Sequence, residues 1–134
     1  AGATNLTPSS TGAAKAIGKV MPHLNGKLNG QAIRVPTPNV SLVDLTVTLN
    51  KNVTLDEVVA EFKNASTGKL KGILGIDEEY RVSSDFNGET LSTVVPLDTI
   101  QVIGGNMVKI LSWYDNEWGY STRLVEMGIH VASK

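Results

Sequence analysis

Gly104-Gly105-Asn106 separates two runs patterned as strands, Ile100 to Ile103 and Met107 to Tyr114, and so short a connection joins antiparallel neighbours. The chain is therefore committed to a hairpin late in its sequence. Gln31 to Val35, Val40 to Leu49, Gly72 to Ile76 and Leu91 to Val95 read as further strands, the second with Val43, Leu45, Val47 and Leu49 on one face. Pro36 and Pro38 stiffen the connection between the first two. Hairpin-linked strands outnumber helical segments, and the strand–helix–strand alternation of a parallel sheet is missing. The expected fold class is α+β: a mainly antiparallel or mixed sheet with helices packed on one face.

Three helical patterns accompany the strands. Ser9-Ser10-Thr11 offers N-cap oxygens ahead of Ala13, Ile17, Val20 and Leu24, and Pro22 to Gly26 closes that segment. Thr54 and Glu57 form a capping box ahead of Leu55, Val58, Val59 and Phe62, with Gly68 placed to end the helix. A last helix runs from about Glu117. Tyr120, Leu124, Met127 and Val131 lie on one of its stripes and Val125, Ile129 and Ala132 on another, a pattern that calls for burial or a subunit contact.

A chain of 134 residues with 41% apolar and 19% charged residues has the length of about one domain and a globular composition. It has no run of about 20 apolar residues and no basic-then-apolar leader, so it is expected to be soluble and cytoplasmic, with no membrane partner. Twelve basic residues stand against 13 acidic ones without gathering into a stripe, which argues against a nucleic-acid partner. The absence of cysteine removes thiol nucleophiles, disulfides and thiolate metal sites, and His23 and His130 lack ligand-spaced neighbours, so no metal is expected. Ala1 to Pro8 carries neither a strand nor a helix pattern and lacks an initiator methionine; it reads as a loop cut in the middle.

The residues able to do chemistry fall at element ends. Gly12 follows the Ser10-Thr11 cap and leaves the amides of a helix N-terminus open to an anion, although glycine is tolerated in a first turn without one. Arg34 alternates with Ile33 and Val35 and so faces away from them, suited either to bidentate phosphate contact or to an ordinary strand position. Trp113 to Ser121 concentrates both tryptophans and two of the three tyrosines where a strand pattern gives way to a helical one. Within it Asp115 suits a helix N-cap, and Asn116 can either read a carboxamide edge to edge or satisfy the helix end. Asp85 reads as a local cap and Glu78-Glu79 as a solvated acidic pair.

Taken in order, Ser10 to Ala16, Arg34 to Ser41, Lys71 to Gly75, Ser83 to Phe86 and Ser112 to Ser121 closely resemble the C-terminal part of the glyceraldehyde-3-phosphate dehydrogenase family. The resemblance extends over almost the whole chain. It implies that residues 1–134 are part of a C-terminal catalytic domain that works beside an N-terminal NAD-binding Rossmann domain, absent from this chain, in a homotetramer. In the family a cysteine attacks the aldehyde, hydride passes to NAD, and inorganic phosphate cleaves the thioester. Glyceraldehyde 3-phosphate thereby becomes 1,3-bisphosphoglycerate. The resemblance places Thr11, Gly12 and Arg34 at phosphate-binding positions, and Asn116, with Tyr120 beside it, at the nicotinamide carboxamide.

The departures are as informative. The family's nucleophilic cysteine and activating histidine lie upstream of the matched region, so no catalytic residue is expected here and the chain alone is expected to be inactive. Its start falls in the loop that reaches towards a neighbouring subunit's cofactor, which implies a fragment. Erythrose-4-phosphate dehydrogenase shares these motifs and is the alternative activity. A non-catalytic protein-interaction module is the alternative of another class.

Overall fold

The computed structural model describes residues 4–134, which form two units divided between Pro38 and Asn39. In the first, strand β1 (Thr7–Ser10) pairs antiparallel with β2 (Gln31–Arg34), setting Thr7 opposite Arg34 and Ser10 opposite Gln31. Helix α1 (Ala13–Val20) and a helical turn at Pro22–Leu24 fill the connection. Strand β1 corrects the sequence reading, which finds no strand in the opening residues and sets Ser9 and Ser10 as helix caps. Pro8 has no N–H for a ladder, and the Ser/Thr run lacks apolar alternation, so only pairing with β2 reveals the strand. The helix begins one step later, at Gly12, with Thr11 Oγ1 accepting the Ala13 N–H at 3.2 Å. Of the expected interrupted loop, residues 1–3 lie outside the described residues.

The second unit holds β3 (Ser41–Thr48), α2 (Leu55–Thr67), β4 (Leu74–Asp77), β5 (Thr93–Pro96), β6 (Gln101–Ile103), β7 (Met107–Tyr114) and α3 (Trp118–Ala132). Its sheet runs β3-β7-β5-β4, with β6 also paired to β7; β4 and β5 are parallel and the other pairs antiparallel. The sheet is thus mixed, as expected. The hairpin forms where it is coded, and Gly104 and Gly105 take φ of 59° and 83°, a region that strains other residues.

Alternation along the strands divides the core between the two faces of the sheet. Val95, Leu74 and Val108 join Ala65, Leu97 and Ile100 on the face that α2 covers with Val58, Val59 and Phe62. Val94, next to Val95 in β5, joins Val40 and Phe86 on the opposite side, backed by Leu91 and Trp113. Burial of side chains such as Phe86 and Val108, each 1% exposed, contributes about 1.5–3 kcal/mol apiece. Helix α2 is fixed at its start by the coded capping box: the Thr54 N–H donates to Glu57 Oε2 at 2.7 Å, and the Glu57 N–H donates to Thr54 Oγ1 at 3.2 Å. Gly68 ends it. Helix α3 leaves Leu124, Val125, Met127, Ile129 and Val131 exposed on both of its apolar stripes.

Candidate functional site

The corner between β7 and α3 is organised by one carboxylate. Asp115 is 2% exposed, and its Oδ1 accepts the backbone N–H groups of Glu117 and Trp118, each at 2.9 Å. Its Oδ2 accepts the Gly88 N–H at 2.8 Å and the Asn39 amide Nδ2 at 3.0 Å. Burial by itself would push this carboxyl up, but the N–H donors of Trp118, Gly88 and Glu117, together with the Asn39 amide, outweigh it and hold the pKa below the ordinary carboxylate value. Asp115 is therefore a charged cap, as its place ahead of a helix suggests, and it also ties that helix to two other segments. Asn39 Nδ2 reaches Asn87 Oδ1 as well, at 3.1 Å.

Next to Asn39, Val40 is buried with φ of 68°, a conformation that costs a β-branched residue about 1–3 kcal/mol. Its packing with Phe86 and Val94 and the polar grip on Asn39 hold it there. The strained residue leads directly into Ser41, the first residue of β3, whose hydroxyl donates to Asn116 Oδ1 at 3.0 Å. Asn116 is itself exposed, standing between the capped amide of Glu117 and the capping side chain of Asp115. Tyr120 lies one turn further along α3 and is 66% exposed. Neither side chain supports the core.

A second buried carboxylate stiffens the adjoining loop. Asp77, 1% exposed, accepts Arg81 Nε at 2.8 Å and the backbone N–H groups of Glu79 and Arg81. Burial opposes its ionisation, and the Arg81 bond with the two amides overcomes that and lowers its pKa. The Arg81 guanidinium lies 4.7 Å from the centre of the Phe86 ring, which stacks on Trp113 at 5.9 Å. These contacts brace the face of β7 that leads into the corner. Asp85 is the local cap that its sequence suggests, with Oδ2 accepting the Val82 N–H at 2.8 Å. Glu78 is less free than expected, since it pairs with Lys63 at 2.7 Å.

In the other unit, the register sets Arg34 and the Thr11-Gly12 pair at opposite ends of the ribbon. Arg34 faces Thr7, while Thr11 follows Ser10, whose partner is Gln31. Three register steps at about 3.4 Å put roughly 10 Å of strand between the two ends. Arg34 is exposed and in no ion pair among the described residues. Helix α1 differs from α2 at its start: its capping residue Gly12 makes no side-chain bond, its first turn has no acid, and a Cβ at Gly12 would meet nothing within 4 Å. An anion fits such an end.

The family model described as glyceraldehyde 3-phosphate dehydrogenase, C-terminal domain, matches residues 1–116. The chain belongs to this family. It is 58% identical over its whole length to glyceraldehyde-3-phosphate dehydrogenase 1 of Bacillus cereus, covering 40% of that protein. Over 96% of its length it is 56% identical to the cytosolic glyceraldehyde-3-phosphate dehydrogenase of Pinus sylvestris, covering 38% of it. Glyceraldehyde-3-phosphate dehydrogenase 1 of Bacillus subtilis (strain 168) is 55% identical over the whole chain, which again covers 40% of the relative. The chain thus spans about two fifths of the length of these family members.

The family's C-terminal domain accounts for the mixed sheet, and the sequence resemblance is upheld. Of the candidate residues, Thr11 and Gly12 lie together immediately before α1, Asn116 stands just ahead of α3, and Tyr120 is in its first turn. Sequence reasoning missed Asn39 and Val40 and the bond from Ser41 to Asn116. A positive φ at valine has no local code, and a contact across 75 positions becomes visible only once β3 and β7 are in register, with Ser41 opposite Tyr114.

Proposed function

We propose that this chain is the C-terminal catalytic-domain segment, residues 1–134, of an NAD-dependent phosphorylating aldehyde dehydrogenase. The complete subunit would convert glyceraldehyde 3-phosphate, NAD and inorganic phosphate to 1,3-bisphosphoglycerate and NADH in glycolysis. Identity of 58% along the entire chain to a protein named for that activity carries the reading. The cytosolic name of the pine relative supports a cytoplasmic setting, and the exposed apolar stripes of α3 leave surface for burial within a complete homotetramer.

The residues present suit their proposed tasks. Asn116 offers an exposed amide whose carbonyl is held from within the protein, so that it could fix the carboxamide of NAD, which supplies the hydride acceptor. Tyr120 would border the ring from the next helical turn. Arg34 and the open N-terminus of α1, with Thr11 and Gly12, would bind phosphate, and the reaction brings two such groups, one on the sugar and one free. The thiol for the thioester and its activating histidine would come from the N-terminal remainder of the subunit, since this chain has no cysteine. Alone, the chain is proposed to be inactive.

The test is calorimetry on the complete subunit. Asn116→Ala should weaken NAD binding and slow hydride transfer while the affinity for ADP-ribose, which lacks the nicotinamide, stays within about twofold. Equal loss for both ligands, or for neither, would overturn the assignment and leave Asn116 as a helix-end residue.

A further inference from the structure

We propose that Asn29 is a site of spontaneous covalent modification: its carboxamide is attacked by the Gly30 amide nitrogen, and the chain is converted there to aspartate and isoaspartate. An asparagine followed by glycine permits this chemistry, since glycine has no Cβ to shield the nitrogen that must reach the preceding side chain. The chain has three such pairs, Asn25-Gly26, Asn29-Gly30 and Asn87-Gly88. The fold treats them differently. At Asn29 the Gly30 N–H donates to Asn29 Oδ1 at 2.9 Å. An N–H can only donate, so the carbonyl end of the amide is the end that faces the nitrogen. Both residues are exposed, neither lies in a helix or strand, and Gly30 N makes no other hydrogen bond among the described residues. The attacking nitrogen and the carbonyl group are thus held side by side where hydroxide can reach the amide proton.

The other two pairs are fastened away from this geometry. Asn87 Nδ2 donates to the Ser84 C=O at 3.1 Å, its Oδ1 accepts the Asn39 amide at 3.1 Å, and the Gly88 N–H is taken by Asp115 Oδ2 at 2.8 Å. These bonds must open before the Gly88 nitrogen can meet Asn87 Cγ. Asn25 and Gly26 form the middle of a turn closed by the Lys27 N–H on the Leu24 C=O at 3.0 Å. The Asn25 side chain lies against α1, where a Cβ on Gly18 would stand 2.9 Å from its Oδ1.

The conversion needs only base and water. Loss of the Gly30 amide proton lets that nitrogen bond to Asn29 Cγ; the Cγ–Nδ2 bond breaks, ammonia leaves, and a succinimide ring closes. Water then opens the ring, at Cγ to give aspartate or at the main-chain carbonyl to give isoaspartate. Either product puts a carboxylate where a neutral amide stood. Isoaspartate also adds a methylene to the backbone just ahead of Gly30 and Gln31, and Gln31 starts β2 by pairing with Ser10. The change therefore falls at the entry to the strand that carries Arg34, although the proposal does not depend on any ligand assignment.

For the test, the complete subunit is aged in mildly alkaline and mildly acidic buffer, with and without urea. Asn25, Asn29 and Asn87 are followed by peptide mapping with mass spectrometry, and isoaspartate is confirmed with an isoaspartyl methyltransferase. In the folded subunit Asn29 should convert first, and faster in the alkaline buffer. Asn87 should convert at least about 10²-fold more slowly, about tenfold for each of its bonds to Ser84 and Asp115. In urea the three rates should converge, because the fold sets their order. Gly30→Ala would place a Cβ at an ordinary 3.8 Å from Ala14 Cβ, so it should be accommodated, slowing conversion of Asn29 and leaving Asn25 unchanged. An Asn29 that converts no faster than Asn25 or Asn87 in the folded subunit, an order of rates that persists in urea, or an undiminished rate in Gly30→Ala would overturn the proposal.

Discussion

Removal of the Asp115 carboxylate tests whether one buried charge holds the corner together. Asp115→Ala strands the donors of Asn39, Gly88, Glu117 and Trp118, four in number. A charge-assisted bond is worth about 1.5–3 kcal/mol, but water can reach the amides beside the exposed Asn116 and Glu117, and losses within one network are not additive. At roughly 1 kcal/mol per stranded donor, the cost is about 4 kcal/mol. The capping box of α2 gives a yardstick within the same unit, because Thr54→Ala removes an exposed cap worth about 1 kcal/mol.

Amide hydrogen exchange distinguishes the two. In Asp115→Ala the amides of Gly88, Glu117 and Trp118 should exchange up to about 10³-fold faster, since 1.4 kcal/mol is a factor of ten. Thr54→Ala should accelerate only the start of α2, by about tenfold at most. Asp115→Asn, which keeps an acceptor but loses the charge, should fall between them. If Asp115→Ala costs no more than Thr54→Ala, the carboxylate is an ordinary helix cap and the account given of Asn39, Val40 and Ser41 fails with it.

Acid should act through the same groups. The pKa values of Asp77 and Asp115 are lowered in the folded chain, so each contributes stability that is present above about pH 4 and is lost as pH falls through the lowered folded value; Asp77→Asn or Asp115→Asn should flatten a urea-midpoint profile in that window, and an unchanged slope would refute the assignment. Arg34→Ala in the complete subunit should cost about 2 kcal/mol or more of kcat/KM with glyceraldehyde 3-phosphate and little with unphosphorylated glyceraldehyde, whereas equal losses would make Arg34 structural. The purified chain of 134 residues, free of any longer enzyme, should not reduce NAD, and measurable NADH formation would contradict the need for a thiol supplied from elsewhere.

What the sequence discloses here follows the range over which each feature is coded. The capping box at Thr54 and Glu57, the closing Gly68, the Gly104-Gly105 turn and β7 from Met107 to Tyr114 are specified by residues a few positions apart, and all form as read. Strand β1 is specified by its partner β2 some 24 residues away, and Thr7-Pro8-Ser9-Ser10 has no pattern of its own to announce it. The parallel pairing of β4 with β5 is of the same kind, since nothing local distinguishes a parallel neighbour from an antiparallel one. At the corner, the helix-capping role of Asp115 is legible from its place before α3. Its grip on Gly88 and Asn39 is not, and those are the bonds that join the corner to Ser41. Family resemblance points to Asn116; only the register of β3 against β7 shows what holds it.

The first unit makes a last, separate prediction. None of residues 4–38 is buried, and Val20, Ile33 and Val35 are 80%, 55% and 47% exposed. Its elements are one two-stranded ribbon, an eight-residue helix and a helical turn. A two-stranded ribbon is marginal in water, and a helix of this length falls below the roughly 12–15 residues at which even good helix formers begin to hold. The second unit, by contrast, has two buried clusters on its sheet. In the 134-residue chain, amides of β1, α1 and β2 should therefore exchange at nearly unprotected rates while those of β5 and β7 stay protected by the global stability of their unit. In the complete subunit, residues 4–38 should gain protection of at least 10²-fold if their apolar side chains are covered there, the counterpart of about 3 kcal/mol. Hydrogen exchange read by mass spectrometry on both proteins decides it. Equal protection of residues 4–38 and of β5 and β7 in the isolated chain would show that the exposed ribbon is stable by itself, and that Thr11, Gly12 and Arg34, the positions proposed to bind phosphate, need no help from the rest of the subunit to be held in place.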